Sequence, residues 1–352
     1  MDIPDLTAAE YDLLDDIYKD AIAKLSKLLK STAFQQAKSA AILKQLQYIL
    51  DELNFESSKW ISAKTQKQIL AADKTATKNI KQICRRIGQN ITGVKFGRVD
   101  NRAVKIFARQ MAKDMHVKTL EFGKSAKRVI SLTQQKLLAN PEIHKHLAKG
   151  LIAGGSINNI SRGLRGRLTA AGKQLLANGD LSAAQLKQIA DLQAGYITAG
   201  KRTMKLNQYC RLVASYQLRE AAVESTKQRL SSAGKQLGDE NLFDLVEVVG
   251  PYSGDFCDFY VGKVFSISGN SDKYPPTADM PNGGPPFHPN CRHTLAPFVE
   301  KLASETDIVR AQINPQFLGI DAKQAQKKFK GPYKMLAAKR AAGTRVAKPE
   351  NH

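Results

Sequence analysis

Two cysteines and two histidines in the last third of the chain have the side-chain chemistry of a metal site. His288, Cys291 and His293 form a His-x2-Cys-x-His cluster, and Cys257 lies upstream of it. Thiolate sulfur and imidazole nitrogen are the usual ligands of zinc, and four of them can close a tetrahedral structural site. The twin Cys-x2-Cys knuckle is absent, because residue 260 is Tyr. We therefore predict that these four residues form a structural zinc site.

The same residues allow two other interpretations. Cys257 can be a buried apolar residue, while Cys291 anchors the loop and the histidines hydrogen-bond to backbone carbonyls. Cys257 and Cys291 can instead form a disulfide bond, if the mature protein meets an oxidising environment. The spacing alone does not choose among a metal site, a disulfide and a purely structural role.

We find no established catalytic pattern, and we predict that the protein is not an enzyme. The segment that starts at Gly166 has five residues between its glycines where a phosphate-binding loop needs four, and Gln174 stands where Ser or Thr would bind magnesium. Asp255 and Asp258 have no Ser-His-Asp arrangement or metal-ligating carboxylate cluster around them. The alternative is a zinc-dependent hydrolase or nuclease, in which the Cys/His cluster would hold a zinc-bound water.

The charge of the chain indicates a polyanionic partner. Lys and Arg number 54 against 32 Asp and Glu, which gives a net charge of +22 and a pI near 9.8. Residues 61–240 carry 33 basic and 11 acidic side chains, whereas residues 1–60 and 241–300 have net charges of −3 and −4. Such a charge favours nucleic acid, and less often an anionic membrane surface. No stretch approaches 18 consecutive apolar residues, and we predict no membrane partner.

We predict non-specific binding to double-stranded DNA through the basic segment. Residues 150–168, GLIAGGSINNISRGLRGRL, combine glycines, which permit close backbone approach, with arginines, which bind phosphate bidentately. The alternative is a helix-loop-helix joint with exposed arginines. The predicted DNA-binding residues are Arg85, Arg86, Arg98, Arg102, Arg162, Arg165, Arg167, Lys201 and Arg202.

The elements that must position these side chains are mainly helical. Apolar residues recur with helical period from Asp5 to about Val249, and capping boxes start helices at Thr7 and at Ser182. Cys84 and Cys210 fall inside these patterns as small core residues. The predicted helices include residues 42–53, 69–87, 182–192 and about 200–230.

A small α+β module follows the helices. Residues 242–250 and 262–269 have the β-branched density of strands. Six of the 13 prolines lie between Pro275 and Pro289 together with two glycines, which excludes a helix or a central strand there. We predict a mainly α protein, with an elongated helical body and a small α+β module that carries a Pro/Gly-rich Cys/His loop. The predicted divisions are acidic N-terminal helices (1–60), a basic helical body (61–240), the Cys/His module (241–300), and a C-terminal helix with a disordered basic tail (301–352).

The Cys/His module resembles the signature of the phage Mu F-like head morphogenesis proteins. That signature has a Cys-x2-Cys pair, a Gly followed by apolar residues, and then Pro-Pro-x-His-Pro-x-Cys-Arg-Cys. This chain has Cys257-x2-Tyr260, the string GKVF from Gly262, and PPFHPNCRH from Pro285 to His293. The resemblance covers about residues 145–300. Tyr260 and His293 replace two of the family's cysteines, and the Arg-Thr-Glu often found on the preceding long helix has no clear counterpart around residues 215–220.

The resemblance implies a minor capsid protein, made in the host cytoplasm and built into the virion. Proteins of this family are portal-associated and assist head assembly, and some contact DNA and influence its ejection. Portal protein and capsid components are therefore the expected protein partners, and packaged double-stranded DNA is the expected polyanion. The acidic start of the chain, unlike a secretory signal, fits a protein that stays where it is made. A nucleoid-type DNA-binding protein unrelated to virions is a further alternative.

Overall fold

The computed structural model is mainly α-helical and ends in a small β-containing module, which confirms the predicted fold class. It describes residues 6–30, 39–96, 101–139, 170–179, 181–199, 202–253 and 255–312. The segment 150–168 and the basic tail lie outside these residues. Within them the helices are α1 (Ala8–Lys30), α2 (Ser39–Arg86), α3 (Asn101–Ala139), α4 (Ala170–Ala177), α5 (Ala183–Gln193), α6 (Leu206–Leu237) and α7 (Glu305–Gln312). The strands are β1 (Tyr196–Ala199), β2 (Arg202–Lys205), β3 (Leu245–Val249), β4 (Val264–Ser266) and β5 (Thr294–Pro297).

Both predicted capping boxes are confirmed. Before α1, Glu10 N–H donates to Thr7 Oγ1 (3.3 Å) and Thr7 N–H donates to Glu10 Oε2 (3.0 Å). Before α5, the Ser182 and Gln185 side chains exchange the same pair of hydrogen bonds with the backbone. Each box gives partners to amide groups that the first helical turn leaves unpaired, which stabilises the helix by about 1 kcal/mol.

Helix α2 is a single helix of 48 residues where the sequence analysis placed two separate helices. The segment Ser39–Arg86 contains no glycine or proline, so nothing in it breaks the backbone hydrogen bonds. The helix ends at Gly88, whose φ is +70°. Gln89 N–H donates to Cys84 O (2.8 Å) and Gly88 N–H to Arg85 O (3.4 Å). These two bonds form a Schellman motif, which pairs carbonyls that the helix end would otherwise leave open.

A β-hairpin lies where the prediction began a helix near residue 200. Strands β1 and β2 pair antiparallel, with Tyr196 opposite Lys205. Ile197, Thr198 and Thr203 are β-branched and favour strand over helix. The long helix α6 therefore begins after the hairpin and continues past the predicted end.

The residues of the chain form two compact units. The Cys/His unit is drawn from Met1–Leu6, Ala63–Phe107 and Ala214–His352, and the hairpin unit from Thr7–Ser62 and Ala108–Val213. Parts of α2, α3 and α6 therefore occur in each unit. The hairpin unit has its own core of fully buried side chains, among them Leu14, Tyr18, Leu25, Ile42, Leu46 and Cys210.

The Cys/His unit is built on a three-stranded antiparallel sheet in the order β4-β3-β5. Along central strand β3 burial alternates: Val246 and Val248 are fully buried, while Leu245, Glu247 and Val249 are partly exposed. The same core contains Ile80 and Cys84 of α2, and Val223 and Leu230 of α6 are also part of it. Burying apolar faces of helices and sheet together removes apolar surface from water, which is the main stabilising contribution in such a unit. Both strands predicted for the module are confirmed.

Candidate metal centre

Local backbone structure directs the four predicted ligands into the core of the Cys/His unit. A 3₁₀ turn over Phe256–Tyr260 buries Cys257. A hydrogen bond from Cys291 N–H to His288 O (2.9 Å) closes a turn that carries both of these residues. His293 immediately precedes β5, where the pairing of Thr294 with Val249 on β3 holds the backbone. Backbone hydrogen bonds thus hold the proline-rich loop at the His288–Cys291 turn and just after His293, where β5 begins.

The structure brings all four predicted metal ligands together. Cys257 Sγ lies 3.3 Å from His288 Nε2, and Cys291 Sγ lies 3.4 Å from His293 Nδ1. The ligand atoms of Cys257, His288 and Cys291 lie within 4.8 Å of one another, and those of Cys257, Asp258 and His293 form a second such group. All four side chains are buried, and all four cysteines of the chain are free thiols. The cluster is therefore compatible with a metal ion, and Cys257 and Cys291 do not form the disulfide bond that the sequence also allowed.

The position of the His293 ring supports the fit to a metal ion. His293 is 3% exposed, and its Nε2 has no hydrogen-bond partner. Leaving a buried polar atom unpaired costs about 1–3 kcal/mol. The nearest carboxylate is that of Asp258, whose Oδ1 lies 3.7 Å from His293 Nε2. With Nδ1 facing Cys291 and Nε2 facing a carboxylate, the imidazole has the arrangement of a metal-ligating histidine with an outer carboxylate partner.

The backbone also makes room for His293 at a glycine. A Cβ atom placed on Gly250 would lie 2.6 Å from Cδ2 of His293 and 3.0 Å from its Cα. Contacts below 3.0 Å are essentially never made by real Cβ atoms. Residue 250 must therefore be glycine if the imidazole is to stay where it is, although its position just after β3 gives no such signal in the sequence.

The electrostatics of the cluster favour the zinc-binding protonation states of two of the four ligands, Cys291 and His288. The hydrogen bond with Cys257 lowers the pKa of Cys291, and the same contact raises the pKa of Cys257. Burial lowers the pKa of His288, because the charged imidazolium is poorly solvated there. The lowered pKa of Cys291 favours its thiolate, and the lowered pKa of His288 favours its neutral imidazole. These are the forms that bind zinc without first losing a proton.

Two residues of α6 that the sequence analysis did not select hold the proline-rich loop. Arg219 Nη1 donates to the backbone carbonyl of Cys291 at 2.6 Å, and Asn282 Nδ2 donates to the Tyr216 hydroxyl at 3.0 Å. Tyr216 and Arg219 are three residues apart, so both project from one side of the helix. The only sequence signal for these two residues was their spacing of three on a predicted long helix. They lie around residues 215–220, where the sequence has no clear counterpart of the Arg-Thr-Glu of the Mu F-like proteins.

Tyr260 occupies the position of the second cysteine in the Mu F-like signature, and its ring has a packing role. It is fully buried and stacks on Phe287 with ring centroids 4.6 Å apart. An aromatic ring here fills core volume and supplies no thiolate. The fourth ligand of a tetrahedral site would therefore come from His293.

The predicted DNA-binding residues fall in different parts of the chain. Arg85 and Arg86 are exposed at the end of α2, and Arg102 is exposed near the start of α3. Arg202 begins β2. The remaining predicted residues, Arg98, Arg162, Arg165, Arg167 and Lys201, lie outside the described residues.

The hairpin unit contains a cavity of about 270 Å³. Residues of α3, α5 and the β-hairpin form its walls, including Phe122, Arg128 and Tyr196. Its two carboxylates have partners, since Glu121 pairs with Lys118 and Asp191 with Lys187. The cavity lacks the metal-ligating side chains found in the Cys/His unit, and no sequence pattern indicated it.

No family model, curated protein sequence or solved structure matches this chain. The likeness to the Mu F-like signature therefore stays a prediction that depends on the residues quoted above. Among the helices that the structure describes, none is both long and apolar enough to cross a membrane.

Proposed function

We propose that this chain is a non-enzymatic structural protein of a phage particle, in which zinc closes the Cys/His module. The observation that carries the proposal is the buried set of two sulfur and two imidazole ligands from Cys257, His288, Cys291 and His293. Structural zinc sites typically complete a four-coordinate tetrahedron with protein ligands alone. Zinc would there connect the 3₁₀ turn, the proline-rich loop and the start of β5.

The alternative function is a zinc-dependent hydrolase or nuclease. A catalytic site keeps one position for water or substrate and needs a nearby general base. Asp255 is a candidate base, because its side chain is 39% exposed and its Oδ2 lies 3.9 Å from His288 Nε2. Burial of all four ligands favours the structural role over this alternative, because substrate would have no access to the metal.

The phage assignment is supported by the PPFHPNCRH string and by the net charge of +22. On this proposal the chain is a minor capsid protein that joins the head at the portal vertex during assembly in the host cytoplasm. Its basic helices would contact packaged DNA without reading sequence, and could influence ejection. Dispersed lysines and arginines suit such contact, because phosphate contacts position a protein on DNA but carry no base information.

Metal analysis of the purified full-length chain tests the structural role. We expect stoichiometric zinc in the wild type, loss of zinc in Cys291→Ser, and retention in Cys84→Ser, a buried cysteine of the same unit outside the cluster. Chelation should lower the melting temperature, because binding energy at a structural site is folding energy. Chelator-sensitive cleavage of DNA or peptide bonds, with folding unchanged, would instead establish the hydrolase.

Particle assembly tests the phage assignment. We expect the chain to co-sediment with the portal oligomer of the same phage and to be present in purified particles. A chain that coats cellular DNA and is absent from particles would support the nucleoid-type alternative. Duplex binding that does not weaken between about 50 and 200 mM salt would contradict the DNA contact, because phosphate binding releases counterions.

A further inference from the structure

One face of α2 carries a line of positive charge in the Cys/His unit. Lys67, Lys74, Lys78, Lys81 and Arg85 are all exposed. Their spacings of seven, four, three and four residues keep them within a sector of about 60° at 100° per residue. We call these five residues the α2 stripe. The predicted helix over residues 69–87 already includes four of these residues, and α2 extends the same face to Lys67.

The opposite face of the same segment is buried, so the α2 stripe points away from the core. Ile69, Ala72, Ala76, Ile80 and Cys84 are all between 0% and 2% exposed. At 100° per residue, these buried residues lie between about 100° and 180° around the helix from the α2 stripe. Packing against the unit therefore determines which side of α2 faces solvent.

Few carboxylates are available to neutralise the α2 stripe from its own segment. Asp73 is the only acidic residue between residues 63 and 96. Its carboxylate forms an ion pair with Arg229, whose side chain is 9% exposed. It lies about 100° around the helix from Lys74. Lys74, Lys78 and Arg85 are exposed and thus present their charge outward, and Lys81 Nζ lies 5.2 Å from the Phe96 ring centroid.

The length and composition of the stripe suit the backbone of duplex DNA. Lys67 and Arg85 are separated by about 27 Å along the helix axis at 1.5 Å per residue. Over that length each strand of B-DNA presents about eight phosphates, one every 3.4 Å of helix axis, which is enough for all five cations. Four of the five side chains are lysines, which bind phosphate as point charges and do not give the bidentate base contacts typical of arginine.

A membrane surface fits the same face less well. Helices that lie on anionic membranes combine basic residues with a broad face of large apolar side chains. Beside the α2 stripe the only large exposed apolar residue is Leu70, at 47% exposure. The other flanking positions include Ala71, Thr77 and Gln82.

We propose that the α2 stripe is a docking site for the phosphates of double-stranded DNA, which it contacts without reading sequence. The inference depends on the proposed function, because packaged DNA is the polyanion that the proposed function supplies. It goes further by assigning the contact to one helix face and by naming residues that the arginine-based prediction omitted, Lys67, Lys74, Lys78 and Lys81. Arg85 is the one predicted DNA-binding residue that the stripe includes.

The test compares two triple variants of the full-length chain that remove the same charge. The stripe variant is Lys74→Gln, Lys78→Gln and Lys81→Gln, and the control variant is Lys27→Gln, Lys44→Gln and Lys59→Gln, all at exposed positions. A third variant, with arginine at the three stripe positions, keeps the charge. Binding to a random-sequence duplex is measured by fluorescence anisotropy between about 50 and 200 mM NaCl, with circular dichroism to compare folding.

In the stripe variant we expect the slope of log affinity against log salt concentration to become shallower by about 2 to 3, since each phosphate contact contributes about 0.9 to that slope. The control and the arginine variant should stay within about 0.5 of the wild-type slope.

Equal losses of slope in the stripe and control variants would overturn the assignment to the α2 stripe while leaving DNA binding intact. Loss of binding in the arginine variant would also overturn it, because charge is then not the determinant. A wild-type chain that does not bind DNA would contradict the proposed DNA contact itself, and the stripe with it. If the stripe substitutions weaken binding to phosphatidylserine vesicles but not to DNA, the partner of the α2 stripe is a membrane surface and the proposal of DNA is wrong.

Discussion

The substitution Gly250→Ala tests whether His293 is held as a metal ligand. The added methyl group would start 2.6 Å from Cδ2 of His293, about 0.8 Å inside the 3.4 Å at which ordinary contact begins. His293 is buried, so its ring cannot move into solvent to relieve the overlap. Either the ring or the strand end must shift, and overpacking of this kind costs about 1–3 kcal/mol.

The expected result is a coupled loss of stability and of metal affinity. A ligand displaced by several tenths of an ångström no longer completes the tetrahedron, and we expect zinc affinity to fall at least tenfold, comparable to loss of an outer-shell partner. Competition with a chromophoric chelator measures the affinity, and urea unfolding of the zinc-loaded protein measures the stability. Gly93→Ala is the matched control, because its added Cβ would meet nothing within 4 Å and its φ is not positive. A Gly250→Ala protein that keeps both wild-type zinc affinity and wild-type stability would refute the role assigned to His293.

Three further substitutions give independent predictions. Asp258→Asn should lower zinc affinity about 10- to 100-fold by removing the carboxylate beside His293, whereas the exposed Asp272→Asn should leave the chelator competition unchanged. Arg219→Gln should lower the free energy of unfolding by about 1–3 kcal/mol through loss of the charged hydrogen bond to the Cys291 carbonyl, and a similar loss in Arg292→Gln, an exposed residue of the same loop, would contradict that assignment. Burial raises the pKa of Tyr216 from 10.0 to about 12. The contribution of its protonated hydroxyl to stability is therefore complete below pH 10 and is lost as pH rises toward 12. Tyr216→Phe should make the fall in melting temperature over this pH range shallower, and an unchanged fall would contradict the pKa shift of Tyr216.

Local sequence signals predicted most of the secondary structure. The capping boxes at Thr7 and Ser182 and the β-branched runs of β3 and β4 are short-range patterns, so the sequence contains all the information they need. The β-hairpin was missed because its strands have only four residues each, too few to stand out against the helical period around them. Helix α2 was divided in two because the apolar spacing changes along it, although no residue in it terminates a helix.

The residue types and the spacing of the Cys/His cluster were sufficient to predict which four side chains come together, and the composition with the helical period of the apolar residues was sufficient to predict a mainly helical, strongly basic chain. Only the tertiary structure placed Cys257 beside His288, across 31 residues of chain, and added Arg219, Asp258 and Gly250 to that centre. The reason is physical: a side chain carries its own chemistry wherever it occurs, but its neighbours are decided by how distant elements pack. The α2 stripe has the same origin, since burial of the opposite face determines which lysines meet solvent together.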